Sequence, residues 1–235
     1  MGKQYLIVGG TTGIGKSLTD IITANGDKVI VASRSATERI ESSDHVSVHD
    51  IDTTDSEADW SFLPEKLDGM AFCPGSINLK PFHRFKATDF EEDFRINLVG
   101  AVNAIQAALP ALKKAEKASI VLFSTMAVQR GLNFHTSIAA AKGAVEGLTR
   151  SLSAELAPGI RVNAVALSLT ETPMAERLLS NDSKKEAGNA RHALKRFGQP
   201  EDIAEMAAFL IGGKSSWITG QIIGVDGGMG TVQNL

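Results

Sequence analysis

The chain is poor in residues that would staple it, anchor it or give it a strong charge. Of 235 residues one is cysteine, Cys73, which excludes an internal disulfide, and no Cys/His cluster has metal-binding spacing. Cys73 itself reads as a small buried residue at a strand end. Tyrosine also occurs once, as Tyr5 within an apolar run, where it reads as core. No apolar stretch is long enough to cross a bilayer. The formal net charge is −3, so no excess of one sign favours nucleic acid or an anionic membrane surface. Met1-Gly2-Lys3-Gln4 leads straight into apolar residues without a signal-peptide pattern, and Leu6 breaks the myristoylation pattern. A soluble cytoplasmic protein is expected.

What the chain does have is alternation. Seven short apolar runs read as strands: 5–8, 29–32, 46–48, 67–73, 119–123, 160–166 and 221–225. Helical patterns separate most of them, among them a long one from Asp89 to about Leu109, one from about Ser137 to Leu156, and one from Pro200 to Leu210. Continuously apolar strands are those covered on both faces. The fold class expected is therefore α/β: one doubly wound Rossmann domain over 1–235, with a mostly parallel seven-stranded sheet. The polar stretch 168–199 reads as an irregular substrate loop.

The first strand ends in Gly9-Gly10-Thr11-Thr12-Gly13-Ile14-Gly15 and a helix follows. Glycines at such a turn let the backbone approach a pyrophosphate and aim helix N–H groups at it. The second strand ends in Ser33-Arg34-Ser35 with no acid, which favours a 2′-phosphate and hence NADP(H) over NAD(H). Asp50 and Ile51, after the third strand, read either as turn-formers or as an adenine contact. Asn97 falls inside the long helix, a position of poor propensity for asparagine. The fifth strand delivers Ser124-Thr125-Met126 to the sheet edge where ligands bind. Beyond it, Ile138 and Lys142 share one helical face. The bases of 168–199, including Arg177, Lys184 and Arg191, read as a solvated face or as a handle for an anionic substrate.

These pieces, in this order, resemble the short-chain dehydrogenase/reductase family over nearly the whole chain. The resemblance rests on Gly9-x-x-x-Gly13-Ile14-Gly15, Asp50-Ile51, Ile96-Asn97-Leu98-Val99-Gly100, Lys142-Gly143-Ala144-Val145 and Arg161-Val162-Asn163-Ala164-Val165. In the last third it adds Glu171-Thr172-Pro173-Met174, the run from Arg196 to Ala204, and Ile218-Thr219-Gly220-Gln221. It implies a cofactor site at Gly9, Thr11, Thr12, Gly13, Ile14, Gly15, Ser33, Arg34, Asp50, Ile51, Lys142 and Thr172. It also implies a homotetramer or homodimer, and a small-molecule carbonyl or alcohol as substrate.

In that family an Asn, a Ser, a Tyr and a Lys carry the chemistry. Asn97 and Lys142 match two of them, and Thr125 keeps a hydroxyl where the Ser would stand. Ile138 occupies the Tyr position, four before Lys142. Isoleucine neither donates nor accepts a proton. Phe72-Cys73-Pro74-Gly75 and Leu167-Ser168 depart from the family pattern at the same reactive end. His135, three residues before Ile138, is the expected replacement, with Ser137, Thr136 or a water as alternatives. Two functions follow as expectations. One is an NADP-dependent oxidoreductase with a non-standard proton donor. The other is an NADP(H)-binding pseudoenzyme serving as a sensor or an assembly subunit.

Overall fold

The computed structural model describes residues 2–232. Its strands are β1 (Gln4–Val8), β2 (Lys28–Ser33), β3 (Val46–Asp50), β4 (Gly69–Phe72), β5 (Ala118–Thr125), β6 (Ile160–Leu167) and β7 (Ile222–Val225). They form one sheet in the order β3-β2-β1-β4-β5-β6-β7, with every pairing parallel. Strand order reverses between β1 and β4, and at such a switch point the carboxyl ends of neighbouring strands open a crevice.

Alternation along each strand builds two cores. Leu6 and Val8 of β1 join Met70, Phe72, Ile120 and Leu122 on one face, while Tyr5 and Ile7 join Val31, Val121 and Phe123 on the other. The first face is covered by α3 (Gly100–Leu112) and α5 (Thr136–Leu156), the second by α1 (Gly13–Ala24) and α7 (Pro200–Ile211). Tyr5, 3% exposed, is core, as the sequence suggests, and lies outside the cleft described below. No described helix is long and apolar enough to cross a membrane.

Three expectations need correction. The helix expected to be continuous from Asp89 is broken into α2 (Ala87–Phe94), a π-turn at Arg95–Val99, and α3. The π-turn accommodates Asn97, whose side chain bonds back to the Asp93 carbonyl one turn earlier. β5 runs two residues further than its apolar core suggests, to Thr125, because β6 continues to pair with it. The stretch 168–199 is not irregular. It contains a 3₁₀ turn at Pro173–Leu178 and the helix α6 (Asp182–Arg191), with Asn181 Oδ1 capping α6 by accepting from Lys184 N at 2.9 Å. α6 is polar on most sides, so hydrophobic periodicity does not reveal it. A short helix, α4 (Ala127–Arg130), follows β5 directly.

Candidate active site

One cleft of about 890 Å³ crosses the carboxyl ends of the sheet from β2 to β6. At one end lies the glycine turn between β1 and α1. Gly9 has φ +77°, a left-handed conformation, and a Cβ at Gly15 would stand 2.2 Å from the Gly9 carbonyl oxygen. Only glycine fits at 15, and the closeness brings the first N–H groups of α1 up to the cleft. Thr11, Thr12, Ile14, Ser33, Arg34, Ile51 and Thr172 also line it. Gly13 does not itself line the cleft, and a Cβ added to it would stand 3.1 Å from Thr172 Cγ2. Asp50 does not line the cleft: its carboxylate accepts from the Thr37 N–H at 3.0 Å and the Thr37 hydroxyl at 2.6 Å. Arg39, absent from the sequence reading, joins Arg34 at this end. The strand-end signal could not reveal it, because the chain turns back at Ala36 before reaching it.

At the other end Thr125, Ile138, Lys142 and His135 line the same wall. Thr125 ends β5, and its Oγ1 accepts from the Ala127 N–H at 3.3 Å, which leaves the hydroxyl hydrogen free. Lys142 is 9% exposed and Ile138 6%. Burial pushes the Lys142 ammonium down to about 8, while Cys73 and Asp93 act the other way. Burial likewise pushes the Cys73 thiol up to about 12, so it is inert at neutral pH. Asn97 sits behind Gly75 and does not itself line the cleft. Its Oδ1 is the one buried side-chain polar atom without a partner among the described residues. A Cβ on Gly75 would stand 3.3 Å from that oxygen and 3.6 Å from Lys142 Nζ, so both atoms converge on the Gly75 backbone. An unpartnered buried acceptor and a buried ammonium at one point are what a ribose hydroxyl or a water requires. The glycine cradle, the paired arginines and this convergence fit a nicotinamide dinucleotide.

Two imidazoles complete the cleft. His135 caps α5, and its Nδ1 lies 2.7 Å from the Asn133 carbonyl oxygen. A carbonyl only accepts, so Nδ1 carries the hydrogen and Nε2 is the nitrogen not engaged by that contact. His192, 1% exposed, is missed by the sequence reading. Its Nδ1 donates to the Gly188 carbonyl at 2.8 Å and its Nε2 lies 2.8 Å from Ser168 Oγ, one residue beyond β6. No spacing pattern links Ser168 to His192; the link exists only because α6 folds back over the strand end. Around this end stand Arg177, Lys184 and Arg191.

A doubly wound parallel sheet with this glycine turn and a lysine at the reactive edge defines a nicotinamide dinucleotide-dependent oxidoreductase. More narrowly, the chain belongs to the short-chain dehydrogenase/reductase family. A family model described as enoyl-(acyl carrier protein) reductase matches residues 9–230. The chain is 33% identical to the 3-oxoacyl-[acyl-carrier-protein] reductase FabG of Thermotoga maritima, over 97% of this chain and 98% of that one. It is 30% identical to the L-xylulose reductase of Bos taurus, over 97% and 96%. A solved structure of ElxO with NADP bound is similar at a TM-score of 0.87, with 27% identity over 97% of this chain and 99% of the other.

Proposed function

We propose that the protein transfers hydride between NADP(H) and a small-molecule carbonyl or secondary alcohol, using a proton donor other than a phenol. The observation that carries this reading is the convergence of Lys142 Nζ and the unpartnered Asn97 Oδ1 at Gly75. When bound, the nicotinamide supplies the hydride in reduction and accepts it in oxidation. Thr125 donates its free hydroxyl hydrogen to the substrate oxygen and polarises the carbonyl. Lys142 holds the ribose hydroxyls, and Asn97 Oδ1 holds a water. His135 gives the proton from Nε2 to the substrate oxygen and takes it back in oxidation, with its ring steadied by the Asn133 carbonyl. Preference for NADP(H) is supported by Arg34 and Arg39 at the adenine end, where Asp50 is turned away to Thr37.

We read the assembly as a homodimer or homotetramer and the compartment as the cytoplasm. Gly147 of α5, with nothing within 4 Å of where a Cβ would stand, leaves backbone open for close helix packing, which supports the assembly. A second reading, an NADP(H)-binding sensor or assembly subunit without turnover, is favoured by Ile138 alone. The experiment is NADPH consumption over a panel of ketones, with Thr125→Ala and His135→Ala. We expect each variant to lose about a hundredfold in turnover. Full turnover by His135→Ala removes the imidazole from the reaction. NADPH binding without any turnover by the unmodified protein selects the second reading.

A further inference from the structure

The family's set of reacting residues leaves Asp93 unaccounted for. It lies on the last turn of α2, 2% exposed, facing α5. Its Oδ1 accepts from Ser76 Oγ at 2.6 Å and its Oδ2 from Ser137 Oγ at 2.5 Å. Ser76 Oγ in turn accepts from Asn97 Nδ2 at 2.8 Å, and the second hydrogen of that amide goes to the Asp93 backbone carbonyl, also at 2.8 Å. Both amide hydrogens of Asn97 are thus committed to Asp93 and its serine, so Oδ1 has only the opposite direction, towards Gly75 and Lys142. Among the described residues no cation lies within ion-pair distance of the Asp93 carboxylate.

We infer that Asp93 is a positioning residue that aims the Asn97 oxygen at the cofactor site through Ser76 and balances the charge of the buried Lys142 ammonium. The inference rests on the cofactor reading above. Two titratable groups act on Lys142 from the elements packed against it, Cys73 beyond β4 and Asp93 on α2. Cys73 is an uncharged thiol at neutral pH, pushed up to about 12, which leaves Asp93 as the negative charge. A phenol beside the lysine is absent here. Ile138 offers no hydrogen bond to the ammonium, so a charge at longer range has more to offset.

The test is NADPH affinity by fluorescence titration from roughly pH 6 to 10, with melting temperature read on the same samples. Lys142 must be charged to bind, so affinity of the unmodified protein falls with rising pH near its value of about 8. In Asp93→Asn we expect that fall about one pH unit lower, with tight binding retained on the acid side of it. A purely structural role for Asp93 moves the melting temperature and leaves the midpoint of the fall in place. If Asp93→Asn folds poorly, Asp93→Leu/Ser137→Ala removes the charge together with one hydroxyl partner and keeps Ser76 as the acceptor for the Asn97 amide. The midpoint should move the same way. Binding with an unmoved midpoint in the variant that folds overturns the inference alone. Failure of the unmodified protein to bind NADPH at any pH overturns the cofactor reading and this inference with it.

Discussion

At the residue scale the proposed chemistry turns on Ile138, one helical turn before Lys142, and on what surrounds it. Ile138 is 6% exposed and lines the cleft, so a larger side chain there extends into open volume rather than into the core. Ile138→Tyr places a phenol one turn from Lys142, and we expect turnover of NADPH with a ketone to rise about tenfold or more. An unchanged rate shows that the existing donor already suffices. Lys142 bears on stability as well. Its folded value of about 8 lies below the unfolded 10.5, so the unfolded chain holds more protons between these values. This group's contribution therefore rises with pH from about 8 to 10.5, and below 8 the buried charge carries its full penalty. We expect Lys142→Met to raise the melting point of the cofactor-free protein at pH 7, by about 1–2 kcal/mol in stability, while weakening NADPH binding. Calorimetry alongside titration measures both.

At the element scale, the parts that the sequence does not reveal are those closed by side chains rather than by periodicity. α6 is held at its start by Asn181, and Asn181→Ala should cost about 1 kcal/mol locally. Faster amide exchange across 182–191, with β5 and β6 unchanged, would be its signature. The Ser168–His192 bond ties that same helix to the end of β6. The glycine turn is the opposite case, legible at once from residue types. Gly15→Ala places a methyl 2.2 Å from the Gly9 oxygen, so the turn must open. We expect loss of NADPH binding by titration and a lower melting temperature.

Across the whole molecule, charge is distributed unevenly. The net charge is −3, yet the cleft is lined by six lysines and arginines and by one acid, Asp52. The Asp52 carboxyl is held below the usual range by the Thr54 N–H and hydroxyl, with help from Arg34 and Arg95. A low-dielectric cleft of one sign focuses its field on anions. NADPH should therefore bind at least about tenfold more tightly than NADH at low salt, with the gap narrowing as ionic strength rises. Arg34→Ala/Arg39→Ala should abolish most of the difference. Equal affinities at low salt would contradict a 2′-phosphate site at this end.

Strand number, fold class, the glycine turn and the place of Thr125 and Lys142 on the cleft are all legible in the chain. They depend on local residue type and on spacing of period two or near four, which the backbone geometry of strand and helix imposes directly. Asn97, too, stands out as an asparagine inside a helical pattern. Its unpartnered oxygen, however, lies on the π-turn, where Ser76 and the Asp93 carbonyl take both amide hydrogens. Asp93, Ser76 and Ser137 lie in three separate segments and have no mutual spacing, so nothing marks them as a cluster until α2 packs against α5. The opposite outcome holds for Asp50, which stands where the family pattern puts an acid but whose carboxylate is engaged by Thr37 away from the cleft. Sequence alone therefore determines which chemistry is offered at the sheet edge, because that follows from residue identity on regular elements. Only the tertiary structure decides which side chains face one another across the cleft, because hydrogen-bond geometry and burial are properties of the packed chain.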